Sequence, residues 1–153
     1  MRIDLICVGK MGPDLQPTYQ HYRDLLQPYI KIRLHEVRNT PLSHGHGRVR
    51  ESEGERIGRY LEGGSYKIAL DAGGRQMTSP QLSRFLAKQK LHGKSDFQFV
   101  LGGAVGLDGR VLESADFRWS LSRLTFPHQL ARCIVIEQLY RALRIERGEP
   151  YHY

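Results

Sequence analysis

The chain has 153 residues with a formal net charge of +7, 40% hydrophobic and 25% charged residues. That length suits one domain, residues 1–153, able to bury its own core, and the apolar fraction argues against disorder. No apolar run approaches the ~18 residues needed to cross a bilayer, and the short stretch from Ile3 to Val8 is interrupted by Asp4, so neither a membrane span nor a signal peptide is expected. Cys7 and Cys133 sit in apolar runs and read as buried thiols, which points to a reducing, cytoplasmic setting. The positive balance, with Arg outnumbering Lys 17 to 6, fits a polyanionic partner such as nucleic acid.

Ile3, Leu5 and Cys7 alternate up to Gly9, the pattern of a strand. Tyr19, Tyr22 and Leu26 then mark one face of a helix reaching about Pro28, and Ile30, Ile32 and Leu34 alternate as a second strand. Residues 38–47, rich in turn formers, read as a loop. A polar helix follows with Ile57, Tyr60 and Leu61 on its narrow apolar face, stopped by Gly63-Gly64. Residues 66–72 form a third strand closed by Gly73-Gly74, and Ser79-Pro80 starts the next helix, with Leu82, Phe85 and Leu86 facing inward. Residues 97–101 make a fourth strand running into a glycine cluster, and residues 117–121 a short fifth. Pro127 opens the last helix, whose Ala131, Val135, Leu139 and Ala142 recur on one face. Strands alternating with helices predict an α/β domain with a largely parallel sheet.

Three strand ends carry chemical signals. Residues 101–107 (LGGAVGL) follow a buried strand, where glycine lets backbone groups approach a ligand; alone, the segment is equally a tight turn. Asp71-Ala72-Gly73-Gly74 has the same layout on the neighbouring strand, and Asp71 there serves a ligand or its own turn. Residues 119–127 (WSLSRLTFP) form a third junction, offering hydroxyls, backbone groups and an apolar wall before a helix N-terminus, or simply a helix cap. His44 and His46, with Glu51 and Glu53 nearby, match no closed metal site, so no metal is expected. The last helix carries Arg132, Arg141, Arg144 and Arg147, and the chain ends Tyr151-His152-Tyr153, two rings and an imidazole suited to an RNA base or simply a frayed end.

Taken together, LDAGGRQMTSPQLSRFL, LGGAVGL, WSLSRLTFPHQLARCIVIEQLYRALRI and the terminal PYHY closely resemble the RlmH (YbeA) methyltransferases of the SPOUT group. The resemblance covers essentially the whole chain and is strongest from Leu70 to Tyr153. It implies a single-domain, parallel-sheet α/β fold with a C-terminal trefoil knot, a homodimer, and S-adenosylmethionine as methyl donor without a metal. The implied reaction is methylation of ring nitrogen three of a pseudouridine in large-subunit (23S) ribosomal RNA on assembled ribosomes.

Carried over by motif, the donor site comprises Leu70, Gly103, Ser122, Arg123, Leu124, Thr125, Phe126 and Pro127. The catalytic side would use His152 as base or hydrogen-bond partner, Tyr151 to orient the target base, and Arg132 to stabilise charge developing on the uracil oxygens. Two departures stand out: the family's glycine loop commonly reads GGPEG, where this chain has Ala104 and Val105, and its tail usually continues with a basic residue, where this chain ends in Tyr153. The competing readings are a non-enzymatic ribosome- or RNA-binding factor and a SPOUT methyltransferase acting on transfer RNA.

Overall fold

The computed structural model describes residues 1–153. Five strands form one parallel sheet: β1 (Arg2–Val8), β2 (Lys31–Val37), β3 (Tyr66–Gln76), β4 (Asp96–Leu101) and β5 (Phe117–Ser120), in the order β2-β1-β4-β3-β5. The helices are α1 (Gln16–Leu26), α2 (His46–Gly58), α3 (Ser79–Leu91), α4 (Gly109–Ser114) and α5 (His128–Glu146), with a single 3-10 turn at Leu42–His44.

Side chains on successive strand residues point to opposite faces, so β1 serves two cores. Ile3, Leu5 and Cys7 join Phe97, Phe99, Ile68 and Trp119 against α1, α3 and α5 in the larger core. Ile6 and Val8 turn the other way, with Val37, Ala69 and Val100, against Ile57 of α2 and Val111 of α4. Helices therefore cover both faces, the usual requirement of a parallel sheet. Both cysteines are buried and unpaired, and burial raises the Cys7 thiol to about 12.

Several boundaries differ from the sequence pattern for identifiable reasons. The third strand does not stop at Gly73-Gly74; Leu70 and Arg75 both pair with Trp119 of β5, so residues 71–74 form a bulge within a longer strand. Glycines inside a strand pattern mark a bulge as readily as an end. Residues 46 and 47, read as loop, open α2, whose buried face is Val49, Glu53 and Ile57 rather than Ile57, Tyr60 and Leu61. A buried glutamate hides that face from an apolar count, and Tyr60 lies past the helix end, exposed. The cap of α3 is Thr78, one residue earlier than expected: its hydroxyl accepts from the Gln81 amide at 3.2 Å, and the Gln81 side chain accepts from the Thr78 amide at 2.8 Å. The one-and-a-half-turn α4 emerges from the glycine cluster, where no helix was expected.

Asp4, which breaks the apolar N-terminal run in sequence, is fully buried in the sheet. Its two carboxylate oxygens accept from Arg33 Nε and Nη2 at 2.7 and 2.8 Å, and Oδ2 also accepts from Gln98 Nε2 at 3.2 Å. Burial alone raises this carboxyl. The hydrogen bonds from Arg33 and Gln98, with the charges of Arg33 and Arg2, outweigh it and hold the group below the ordinary 3.8. The stability this pairing contributes is therefore complete above the ordinary pKa and is lost as pH falls through the lower folded value. Asp4→Asn is expected to cost about 1–3 kcal/mol at pH 7. Below pH 4 its melting temperature should fall less steeply than the wild type's, and thermal unfolding from pH 2 to 7 checks both.

Candidate active site

The carboxyl ends of β3, β4 and β5 open into one cleft of about 230 Å³. The β3 bulge contributes Leu70, Asp71 and Ala72. The loop after β4 supplies Leu101, Gly102, Gly103, Ala104 and Gly106, and the β5–α5 junction supplies Trp119 to Ser122 and Leu124 to Phe126. His128 and Ala131 of α5 close one side. The three strand ends singled out in the sequence thus meet at one rim of the sheet, as expected of ligand sites in open α/β folds.

Local geometry explains the residue types. The loop after β4 folds back on itself through a bridge between Gly103 and Gly106. A Cβ on Gly102 would lie 2.7 Å from the carbonyl carbon of Gly106, and Gly106 itself has φ +80°, so only glycine permits this turn at both positions. At the β5–α5 junction, the Ser120 hydroxyl donates to the Ser122 carbonyl at 3.0 Å, and the Ser122 hydroxyl accepts from the Leu124 amide at 3.0 Å. These hydroxyls brace the turn and leave Leu124 exposed at the mouth of the cleft. Burial first, then the charge of Arg132, lowers the pKa of His128, so the ring is neutral at pH 7 despite a smaller opposing effect of Glu53. Asp71 is the one acidic residue lining the cleft.

Of the expected donor-site residues, Leu70, Gly103, Ser122, Leu124, Thr125 and Phe126 line this cleft. Arg123 and Pro127 do not: Arg123 is exposed on the turn between two lining residues, and Pro127 is the N-cap of α5. Sequence reasoning missed His128, whose place in the first turn of α5 was legible but whose exposure to the cleft depends on the neighbouring loop.

The catalytic set is not assembled within one chain. Arg132 is 1% exposed and turned inward: Nη1 donates to Glu36 Oε2 at 2.7 Å and Nη2 to the carbonyl of Gly9 at 2.8 Å. The expectation that it meets a base is corrected by that burial, which ties its guanidinium to the ends of β1 and β2. The tail is docked along the far half of α5. The Tyr151 hydroxyl donates to Glu137 Oε1 at 3.0 Å, its ring lies 4.7 Å from the Arg141 guanidinium, and His152 Nδ1 is 3.1 Å from Arg141 Nη1. Burial, then the Glu137 carboxylate, raises the Tyr151 phenol. Residues 128 and 141 are separated by about 20 Å of helix, so His152 does not stand beside the cleft of its own chain.

Comparison with known proteins places this geometry. The family model described as "Predicted SPOUT methyltransferase" matches residues 1–152. Among curated proteins, the ribosomal RNA large subunit methyltransferase H of Bifidobacterium animalis subsp. lactis is 44% identical, with 99% of each chain covered. Proteins of the same name from Pelotomaculum thermopropionicum and Desulfitobacterium hafniense are 43% and 39% identical, covering 99% of this chain and 98% and 99% of theirs. A solved structure of a probable methylase family protein from Haemophilus influenzae Rd KW20 aligns over 99% of this chain and 70% of its own, with a TM-score of 0.55 at 14% identity, a likeness of fold. The chain belongs to the SPOUT methyltransferase family.

Gly102→Ala is expected to strain the β4 loop by about 1–3 kcal/mol. At this chain length that lowers the melting temperature by roughly 2–4 °C per kcal/mol. Gly63→Ala, whose Cβ would meet nothing within 4 Å, is the matched control and should leave it unchanged.

Proposed function

We propose that the chain is an S-adenosylmethionine-dependent methyltransferase that modifies ring nitrogen three of a pseudouridine in large-subunit ribosomal RNA, acting in the cytoplasm on assembled ribosomes. The observation that carries this reading is the convergence of three strand ends into a glycine-lined, mostly apolar cleft in a chain whose full-length relatives bear the name ribosomal RNA large subunit methyltransferase H. The net charge of +7 suits an RNA partner.

The cleft fits the donor's chemistry. Leu70, Leu101, Trp119 and Phe126 offer apolar surface to an adenine, and the backbone of residues 102–106 and 121–125 offers donors and acceptors to its polar edges. When bound, S-adenosylmethionine supplies a methyl group activated by the adjoining sulfonium. Leu70, Gly103, Ser122, Leu124, Thr125 and Phe126 hold and orient that donor, while Pro127 fixes where α5 begins. Arg123, pointing to solvent, is assigned to the RNA backbone. Arg132 is a positioning residue, locking α5 to β1 so that His128 faces the cleft. Most of the rate enhancement then comes from placement, since a nitrogen nucleophile needs chiefly an in-line approach.

Tyr151 and His152 are assigned to the target base, and chain geometry favours their acting on a second copy. The seven residues after α5 span at most about 25 Å when extended. The helix from Glu146 back to His128 is itself about 27 Å long. A homodimer, in which one tail serves the partner's cleft, removes that mismatch. The knotted threading of the family is part of the same reading; it is supported by family membership and by β5 lying at the sheet edge beside the bulged β3.

Calorimetry with S-adenosylmethionine tests the donor site: binding is expected, and none at millimolar donor would leave an RNA-binding factor as the better reading. His152→Ala should lower turnover on ribosomes while leaving donor affinity unchanged. Removal of residues 149–153 should abolish methylation but preserve the folded circular-dichroism spectrum. Mass mapping of ribosomal and transfer RNA nucleosides from a deletion strain should show a loss confined to ribosomal RNA.

A further inference from the structure

A second cleft, of about 310 Å³, lies directly behind the first. Gly103, Ala104 and His128 line both, so the two are separated by one thickness of backbone and one imidazole. A Cβ on Gly103 would stand 3.0 Å from Val8 Cγ1 and 3.3 Å from Glu53 Oε1, which places that carboxylate oxygen against the shared wall.

Glu53 is 3% exposed, and its two oxygens have different fates. Oε2 accepts from the Thr40 amide at 2.9 Å, whereas Oε1 is buried and accepts from no group of the protein. A buried acceptor left unpaired costs on the order of 1–3 kcal/mol or more when charged, so its retention at a cleft wall calls for a donor from a ligand. Around it, Val8 and Val49 are apolar and buried, while Lys10 and Asn39 stand exposed at the rim. Gln129 also lines the cleft; its Oε1 accepts from the Gly12 amide at 2.7 Å, which leaves its NH₂ as a donor.

A carboxylate acceptor flanked by donors, between apolar walls, complements a ring that presents an N–H between two carbonyls. That is the imide edge of a uracil-type base. A phosphate is repelled by Glu53, and cytosine offers a bare acceptor nitrogen where an N–H is needed. We infer that this second cleft is the pocket for the target base, with Glu53 Oε1 accepting a ring N–H of a uracil-type nucleobase and the Gly103–His128 wall separating that base from the donor. The inference rests on the proposed RNA target and adds to it the residue that recognises the base.

The test is an amide-resonance titration of the full chain with uracil and with 1,3-dimethyluracil, which has the same ring but no N–H. Uracil should shift the Thr40 amide, which reports on the Glu53 carboxylate, and dimethyluracil at equal concentration should not. Glu53→Gln keeps the size but cannot accept from both Thr40 and the base, since one of its two positions must become NH₂. Its affinity for uracil should fall about tenfold or more. Equal shifts from both pyrimidines, no shift from either, or wild-type affinity in Glu53→Gln would overturn the inference. S-adenosylmethionine titrated into the same samples keeps the two readings apart. Absence of donor binding in wild type would count against the methyltransferase reading, while the two pyrimidines still decide the role of Glu53.

Discussion

The anchoring of Arg132 organises the functional end of the molecule. Its guanidinium is almost wholly removed from water, which is costly unless its N–H groups are matched. Glu36 at the end of β2 neutralises the charge, and the Gly9 carbonyl, just past β1, accepts a second bond. Glu36 also accepts from the Met11 amide at 3.0 Å, so the loop after β1 is drawn into the same arrangement. A single side chain from α5 thereby ties the last helix to the ends of the first two strands.

His128 stands one turn before Arg132, and its position between two clefts follows from that anchorage. On one side the β3 bulge, the β4 loop and the β5–α5 turn form a concave wall of backbone and apolar side chains. On the other, the loop before α2 and the buried Glu53 form a smaller polar-floored recess. The parallel sheet makes this possible, because its strands deliver their carboxyl ends, and the loops that follow, to one rim. A donor and an acceptor in adjoining pockets need only a short path between reacting atoms.

The sequence periodicity of strands and long helices was legible because one physical rule governs both: apolar side chains recur with the spacing that brings them to a core. Three glycine-bearing or turn-forming strand ends were legible as well, since few residues tolerate those backbone shapes. Less visible was whatever depended on a polar group going inside. Asp4 looked like a break in an apolar run and is the paired centre of the sheet. Glu53 looked like part of a solvated helix and lies on the buried face of α2. Arg132 resembled other basic residues of α5 and is the one that turns inward.

By itself the sequence determined the α/β class, the strand and helix order and the family, because spacing and local backbone preference are properties of neighbouring residues. Only the tertiary structure decided that residues 71–74 bulge rather than end a strand, that Arg132 anchors α5, and that the Tyr151–His152 tail lies some 20 Å along α5 from its own cleft. Those outcomes depend on which distant groups satisfy a buried charge or an unpaired carbonyl, and on how far a helix carries its end from its start.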